Sequence, residues 1–100
     1  MTDNNFARNL GLLASYVGSV AEVSRRLAIN RQQFHRYLAG SARPTVRRML
    51  RICDFFGVEE AEILMDHAQF REIVAIRRQG MQPVDPLGHF IVNLHSINPR

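Results

Sequence analysis

The sequence predicts an all-α protein, and three observations carry that prediction. Apolar residues recur at helical spacing along most of the chain, residue types that cap helix ends stand between those stretches, and strand patterns are almost absent. Together they describe short helices joined by tight turns. The expected division is a helical domain over residues 1–65 and a helical extension over residues 66–100.

Each element follows from its residues. Phe6, Leu10, Leu13, Ala14 and Val17 fall on one face of a first helix, with Asn4 or Asn5 as its cap and Gly18 at its end. Ser19, with Glu22 three residues later, has the pattern of a capping box, in which each side chain bonds the other residue's backbone N–H. A second helix opening there turns Val20, Val23, Ser24 and Leu27 inward. Ala28-Ile29-Asn30 breaks that pattern. Asn30 with Gln33 repeats the capping logic for a third helix, whose inward residues are Phe34, Tyr37 and Leu38. Two short capped helices joined by a three-residue turn have the spacing of a helix-turn-helix.

After a loop from Gly40 to Pro44, Thr45 caps a fourth helix with Val46, Met49, Leu50, Cys53 and Phe56 on one stripe and Gly57 just past its end. Glu59, Glu60 and Glu62 suit the positive end of a fifth, with Ala61, Ile63 and Leu64 packing beneath it. A sixth opens at Asp66 and uses Phe70, Ile73, Val74 and Ile76 before Arg77, Arg78 and Gly80 end it. Asp85 and Pro86 supply a cap and a first-turn proline for a last helix, which the capping favours over a strand at 89–94. Its apolar residues Leu87, Phe90, Ile91 and Leu94 must be covered by the same domain, a second chain or a further domain; a dimer contact is the expectation.

Composition removes several classes of function. A hydrophobic content of 46% suits a globular chain. The lone Cys53 excludes an internal disulfide framework and a multi-cysteine zinc site. The polar start Met1 to Asn5 lacks a signal-peptide pattern, and no apolar run approaches the ~20 residues of a membrane span, so a cytoplasmic protein without membrane contact is expected. There is no glycine-rich phosphate loop, no His-Glu-x-x-His and no Gly-x-Ser-x-Gly. Cys53 lies on an inward stripe and reads as core, while His89 and His95 lack a nearby acid or cysteine. Neither catalysis nor a metal or other cofactor is expected.

Charge is where the chain is unusual. The net charge is +4 and the pI about 10.6, and every basic residue is Arg. From Arg25 to Arg51 there are eight arginines and no Asp or Glu. Like charges held together oppose compaction. Arg47 and Arg48 also fall in the first turn of the fourth helix, where an exposed cation opposes the helix dipole at a cost of about 0.3–1 kcal/mol. With no acid four residues on from any of these arginines, local pairing does not offset the charge. Phosphates would, so double-stranded DNA is the expected partner.

Ser19 to Leu38, then Gly40-x-x-Arg43-Pro44-Thr45, then Phe55-Phe56-Gly57-Val58 followed four residues later by Ile63-Leu64, resembles the lambda-repressor-like (Cro/Xre) helix-turn-helix family. The resemblance covers about residues 6–65. It implies a five-helix DNA-binding domain whose third helix enters the major groove, and a homodimer on a near-palindromic operator. Matched position by position, it implies base reading by Arg31, Gln32, Gln33 and Arg36, with His35 beside them. It also implies phosphate contacts from Arg43, Thr45, Arg47 and Arg48, joined by Arg26. The resulting expectation is a transcriptional regulator, a repressor in particular, with a small-molecule effector only if a further domain exists. The alternative is a protein-interaction module on the same fold, such as an antitoxin or adaptor for an acidic partner.

Three positions depart from the family's usual pattern. Val20 stands where a phosphate-clamping Gln is common, Ser24 where Ala is usual, and Ala28 where the turn carries Gly. If residue 28 takes a positive φ, Ala is strained there by roughly 1 kcal/mol.

Overall fold

The computed structural model describes residues 4–79, which form α1 (Asn5–Val17), α2 (Val20–Leu27), α3 (Arg31–Ala39), α4 (Val46–Phe56), α5 (Glu60–Ile63) and α6 (His67–Gln79), with no strand among them. α1 is the central element and packs against α2, α3, α5 and α6. Its stripe of Phe6, Leu10, Leu13 and Ala14 is buried as its spacing predicts, together with Ala7 and Asn9. Each large apolar side chain so covered contributes about 1.5–3 kcal/mol.

The caps of α2 and α3 set the helix-turn-helix. Ser19 Oγ accepts the N–H of Glu22 at 3.1 Å, which is half of the expected capping box. The other half is not formed, because the Glu22 carboxylate turns to Arg25 and Arg26 instead, at 2.5 Å from each. Asn30 Oδ1 accepts the N–H groups of Gln32 and Gln33 at 2.8 and 3.3 Å. Between the helices Ala28 has φ 58° and ψ 43°, the one non-glycine residue with positive φ among those described. Its N–H and that of Ile29 close the end of α2 on the carbonyls of Arg25 and Ser24. Buried Ile29 then anchors the turn to the core.

A left-handed alanine costs about 1–2 kcal/mol, and glycine relieves this while adding ~0.4–1 kcal/mol of unfolded-chain freedom. Ala28→Gly is therefore expected to raise stability by a net of roughly 0.5–1 kcal/mol in urea denaturation. An unchanged or lower midpoint would mean that the turn relaxes in solution.

Gly40 closes α3 at φ 79°, and a Cβ there would lie 2.7 Å from Asn4 Oδ1. The backbone conformation demands glycine, whereas the exposed Asn4 side chain could move aside. Asn4 holds the N-cap position of α1 without a side-chain bond to the helix.

α4 is rotated relative to the stripe read from its sequence. Met49, Ile52, Cys53 and Phe56 are buried, whereas Val46 and Leu50 are 78% and 57% exposed. Ile52 at 0% takes the place expected of Leu50. The tight step from Met49 through Ile52 and Cys53 to Phe56 is itself an i, i+3, i+4, i+7 face, and it competes with the looser stripe through Val46. Burial also pushes the Cys53 thiol up to about 11, with Glu60 and Glu62 adding to the shift, so it stays protonated and inert at neutral pH.

α5 and α6 close the core by a polar junction. Glu62 accepts the Glu59 N–H at 2.9 Å and pairs with Arg77 of α6 at 3.0 Å. Asn9 is fully buried, and its Nδ2 donates to the carbonyls of Ile63 and Met65 at 2.9 and 2.8 Å. Those two acceptors fix which end of the amide is nitrogen. Asn9 Oδ1 therefore faces His67 Nδ1 at 2.8 Å, and the proton in that bond is carried by Nδ1. Asn5 Oδ1 accepts the His67 N–H at 3.2 Å, so two residues of α1 hold the start of α6. Phe70 and Val74 then enter the core at 0% exposure, while Ile76, expected among the inward residues, is 66% exposed. The expected helix over residues 85–97, with Leu87, Phe90, Ile91 and Leu94, lies outside the described residues.

Candidate nucleic-acid interface

α3 is built so that one face faces the core and the other is open. Phe34 and Tyr37 are buried at 0% and 2%, and Tyr37 meets the Phe6 ring edge-on at 6.5 Å. Leu38 is half-buried against the same cluster. With these three inward, helical geometry turns Arg31, Gln32, His35 and Arg36 outward, and all four are exposed. Gln33 is half-buried. Among the described residues, the side chains of Arg31, Gln32, His35 and Arg36 have no hydrogen-bond or ion-pair partner. The resemblance assigns these side chains to base edges, and here they are free to reach one.

The arginine window divides when its members are traced. Arg31, Arg36 and Arg47 project without a partner among the described residues. Arg25 and Arg26 share Glu22, which lies just outside the window. This corrects the expectation that nothing local offsets the charge: an acid three or four residues before each arginine does so. The two guanidinium hydrogen bonds, Arg25 first, hold the Glu22 carboxyl below its ordinary range. Arg43 is exposed, and its guanidinium lies 5.9 Å from the centre of the Phe6 ring, at the outer limit of a cation–π contact.

Arg48 and Arg51 point back into the fold. Arg48 Nη1 donates to the Tyr37 hydroxyl at 3.1 Å, and its backbone N–H donates to Thr45 Oγ1 at 3.2 Å. Arg51 Nη2 donates to the Leu27 carbonyl at 2.5 Å and lies 3.5 Å from that of Ala28. A cation there meets the negative end of α2 and satisfies a carbonyl that the helix leaves unpaired. Sequence reasoning counted Arg51 only as charge and assigned Tyr37 only to the core. The available signal was spacing, since Arg48 and Arg51 are three residues apart and share one face of α4.

Thr45, Val46 and Arg47 are exposed at the start of α4, so its unpaired N–H groups and the Thr45 hydroxyl stand at the surface beside Arg43 and Arg47. No described helix is long and apolar enough to cross a membrane.

A protein-family model described as a helix-turn-helix domain matches residues 7–64, from the first turn of α1 to the residue after α5. The chain belongs to the helix-turn-helix domain family. Comparison with curated proteins and with solved structures returns no significant match. The helix-turn-helix domain is a DNA-binding fold, and the matched segment contains α3, from which the unpartnered Arg, Gln and His side chains project. In this helix-turn-helix domain the matched segment stops short of α6, although Phe70 and Val74 belong to the same core.

Proposed function

We propose that this helix-turn-helix domain is a sequence-specific DNA-binding transcriptional regulator of the lambda-repressor-like (Cro/Xre) type. It acts as a repressor, occupying a near-palindromic operator as a homodimer and blocking access to the promoter. The observation that carries this reading is the outward face of α3, where Arg31, Gln32, His35 and Arg36 are exposed and unpartnered among the described residues.

Their chemistry suits the task. Arg bonds guanine O6 and N7 through two donors, and Gln bonds adenine N6 and N7 in the same way, each pair discriminating by about 1–3 kcal/mol. Gln33 joins them from its half-buried position. Arg43, Thr45 and Arg47, in the loop before α4 and its first turn, contact phosphate; Arg48 does so through the guanidinium donors that Tyr37 leaves free, and Arg26 does so from α2. These contacts set register and affinity without reading sequence. Leu87, Phe90, Ile91 and Leu94 supply the contact between protomers.

Selection of bound duplexes from a random library at about 0.15 M salt tests the reading. The expected product is a two-fold symmetric motif with half-sites about 10 base pairs apart. A single half-site would keep base reading and remove the dimer. Absence of any preferred sequence, with binding that collapses as salt rises, would leave only phosphate attraction and overturn the proposal.

A further inference from the structure

We propose that Arg51 and Tyr37 are positioning residues for base recognition: with Arg48, they form a two-point brace by which α4 sets the angle of α3. The inference rests on the reading of α3 as the base-reading helix and extends it to residues that touch no base.

α2 and α3 meet at a turn whose first residue, Ala28, is held in a left-handed conformation that alanine disfavours. The carbonyls that this turn leaves open, Leu27 and Ala28, are the ones that Arg51 reaches, at 2.5 and 3.5 Å. At the far end of α3, the Tyr37 hydroxyl receives Arg48 at 3.1 Å. Both guanidinium groups come from one face of α4, three residues apart. Packing on α1 and α2 seats α3, and the two polar attachments, one on the end of α2 and the turn before α3 and one near the end of α3, narrow the direction it can take. The Tyr37 ring is buried, so its hydroxyl is a rigid anchor rather than a mobile one.

A base contact has stringent geometry, because paired donors must meet two acceptors on one edge. A tilt of α3 would therefore degrade reading before it degraded phosphate attraction. This is why a brace affects preference more than affinity.

The test compares the whole chain with Arg51→Ala, Arg51→Lys and Tyr37→Phe, each shown folded by circular dichroism. Binding is measured on the selected duplex and on a scrambled one across a salt series. Arg51→Ala and Tyr37→Phe are each expected to lower the ratio of the two affinities by roughly tenfold, the worth of one paired base contact. Arg51→Lys, which keeps a charged donor for the carbonyl, recovers most of that ratio. For Tyr37→Phe the salt slope on the scrambled duplex stays as in the parent, because no phosphate contact is lost. A slope reduced by about one with the ratio intact in Arg51→Ala would make Arg51 a phosphate contact and overturn the brace.

A measurement without DNA separates the two readings. Amide hydrogen exchange across Ile29 to Arg36 is expected to quicken in Arg51→Ala and Tyr37→Phe. Unchanged exchange overturns the brace whatever the DNA result. Quickened exchange in a chain whose parent prefers no duplex would instead sink the base-reading role while keeping the attachment.

Discussion

Replacing Asn9 with Ala is expected to lower stability by about 3–5 kcal/mol, a large share of the 5–15 kcal/mol that holds a domain of this kind together. The amide is fully buried and makes contacts with Ile63 O, Met65 O and His67 Nδ1. Ala would leave those groups without it, and each buried unsatisfied group costs roughly 1–3 kcal/mol. Asn9→Asp is expected to be worse at neutral pH, although the shape is the same. One carboxylate oxygen would keep the His67 Nδ1–H, but the other would face two carbonyl oxygens in a buried site, so on balance the folded state favours the protonated acid and its pKa lies above that of the unfolded chain. The folded form then binds more protons than the unfolded one, and stability falls as pH rises from about 4. Urea denaturation of both variants between pH 4 and 8 checks this. A loss below 1 kcal/mol for Asn9→Ala, or a flat pH profile for Asn9→Asp, would show that the Asn9 amide does not hold the junction of α1, α5 and α6.

The second large effect is on DNA. Arg31→Ala is expected to weaken the preferred duplex by about 5- to 150-fold, the range of one paired base contact, and to relax the preference at one position in each half-site. Arg47→Ala should instead weaken every duplex by a similar factor and reduce the salt slope by about 0.9 per protomer. The contrast comes from position: both side chains are exposed, but Arg31 opens α3 and Arg47 lies in the first turn of α4. Repeating the library selection with Arg31→Ala and a salt titration with Arg47→Ala distinguishes them. Equal losses on all duplexes from both changes would remove Arg31 from base reading.

The helices and their caps were legible because capping is local chemistry. Ser19, Asn30 and Thr45 each bond an N–H two or three residues on, so neighbours in sequence suffice to identify them. The strain at Ala28 was legible only through the resemblance, whose turn carries Gly at that position, and as a condition on its φ. The α4 face was not, since two overlapping stripes fit the residues from Val46 to Phe56 and only the packing of α4 against α2 and α5 decides between them. Asn9 was missed altogether. Its partners lie 54 to 58 residues away, and nothing near it in the chain hints at a buried amide. The outward face of α3 followed from its inward residues, but the assignment of the basic window as a single surface did not survive intact. The pairs of Glu22 with Arg25 and Arg26 are local to α2 and were open to reading from spacing, whereas the contacts of Arg48 and Arg51 depend on where α4 lies against α2 and α3.

α6 carries a consequence for how such a unit could be borrowed. The segment recognisable as a helix-turn-helix domain stops at residue 64, whereas Phe70, Val74 and the Glu62–Arg77 pair lie in or reach beyond α5 into the next helix. A genetic exchange that cut the reading frame at the edge of the recognisable part would move the specificity of α3 but leave behind two of the side chains that fill its core. The portable piece is therefore longer than the one that similarity outlines. Recombination that keeps Phe70, Val74 and the Glu62–Arg77 pair together has to fall after Arg77.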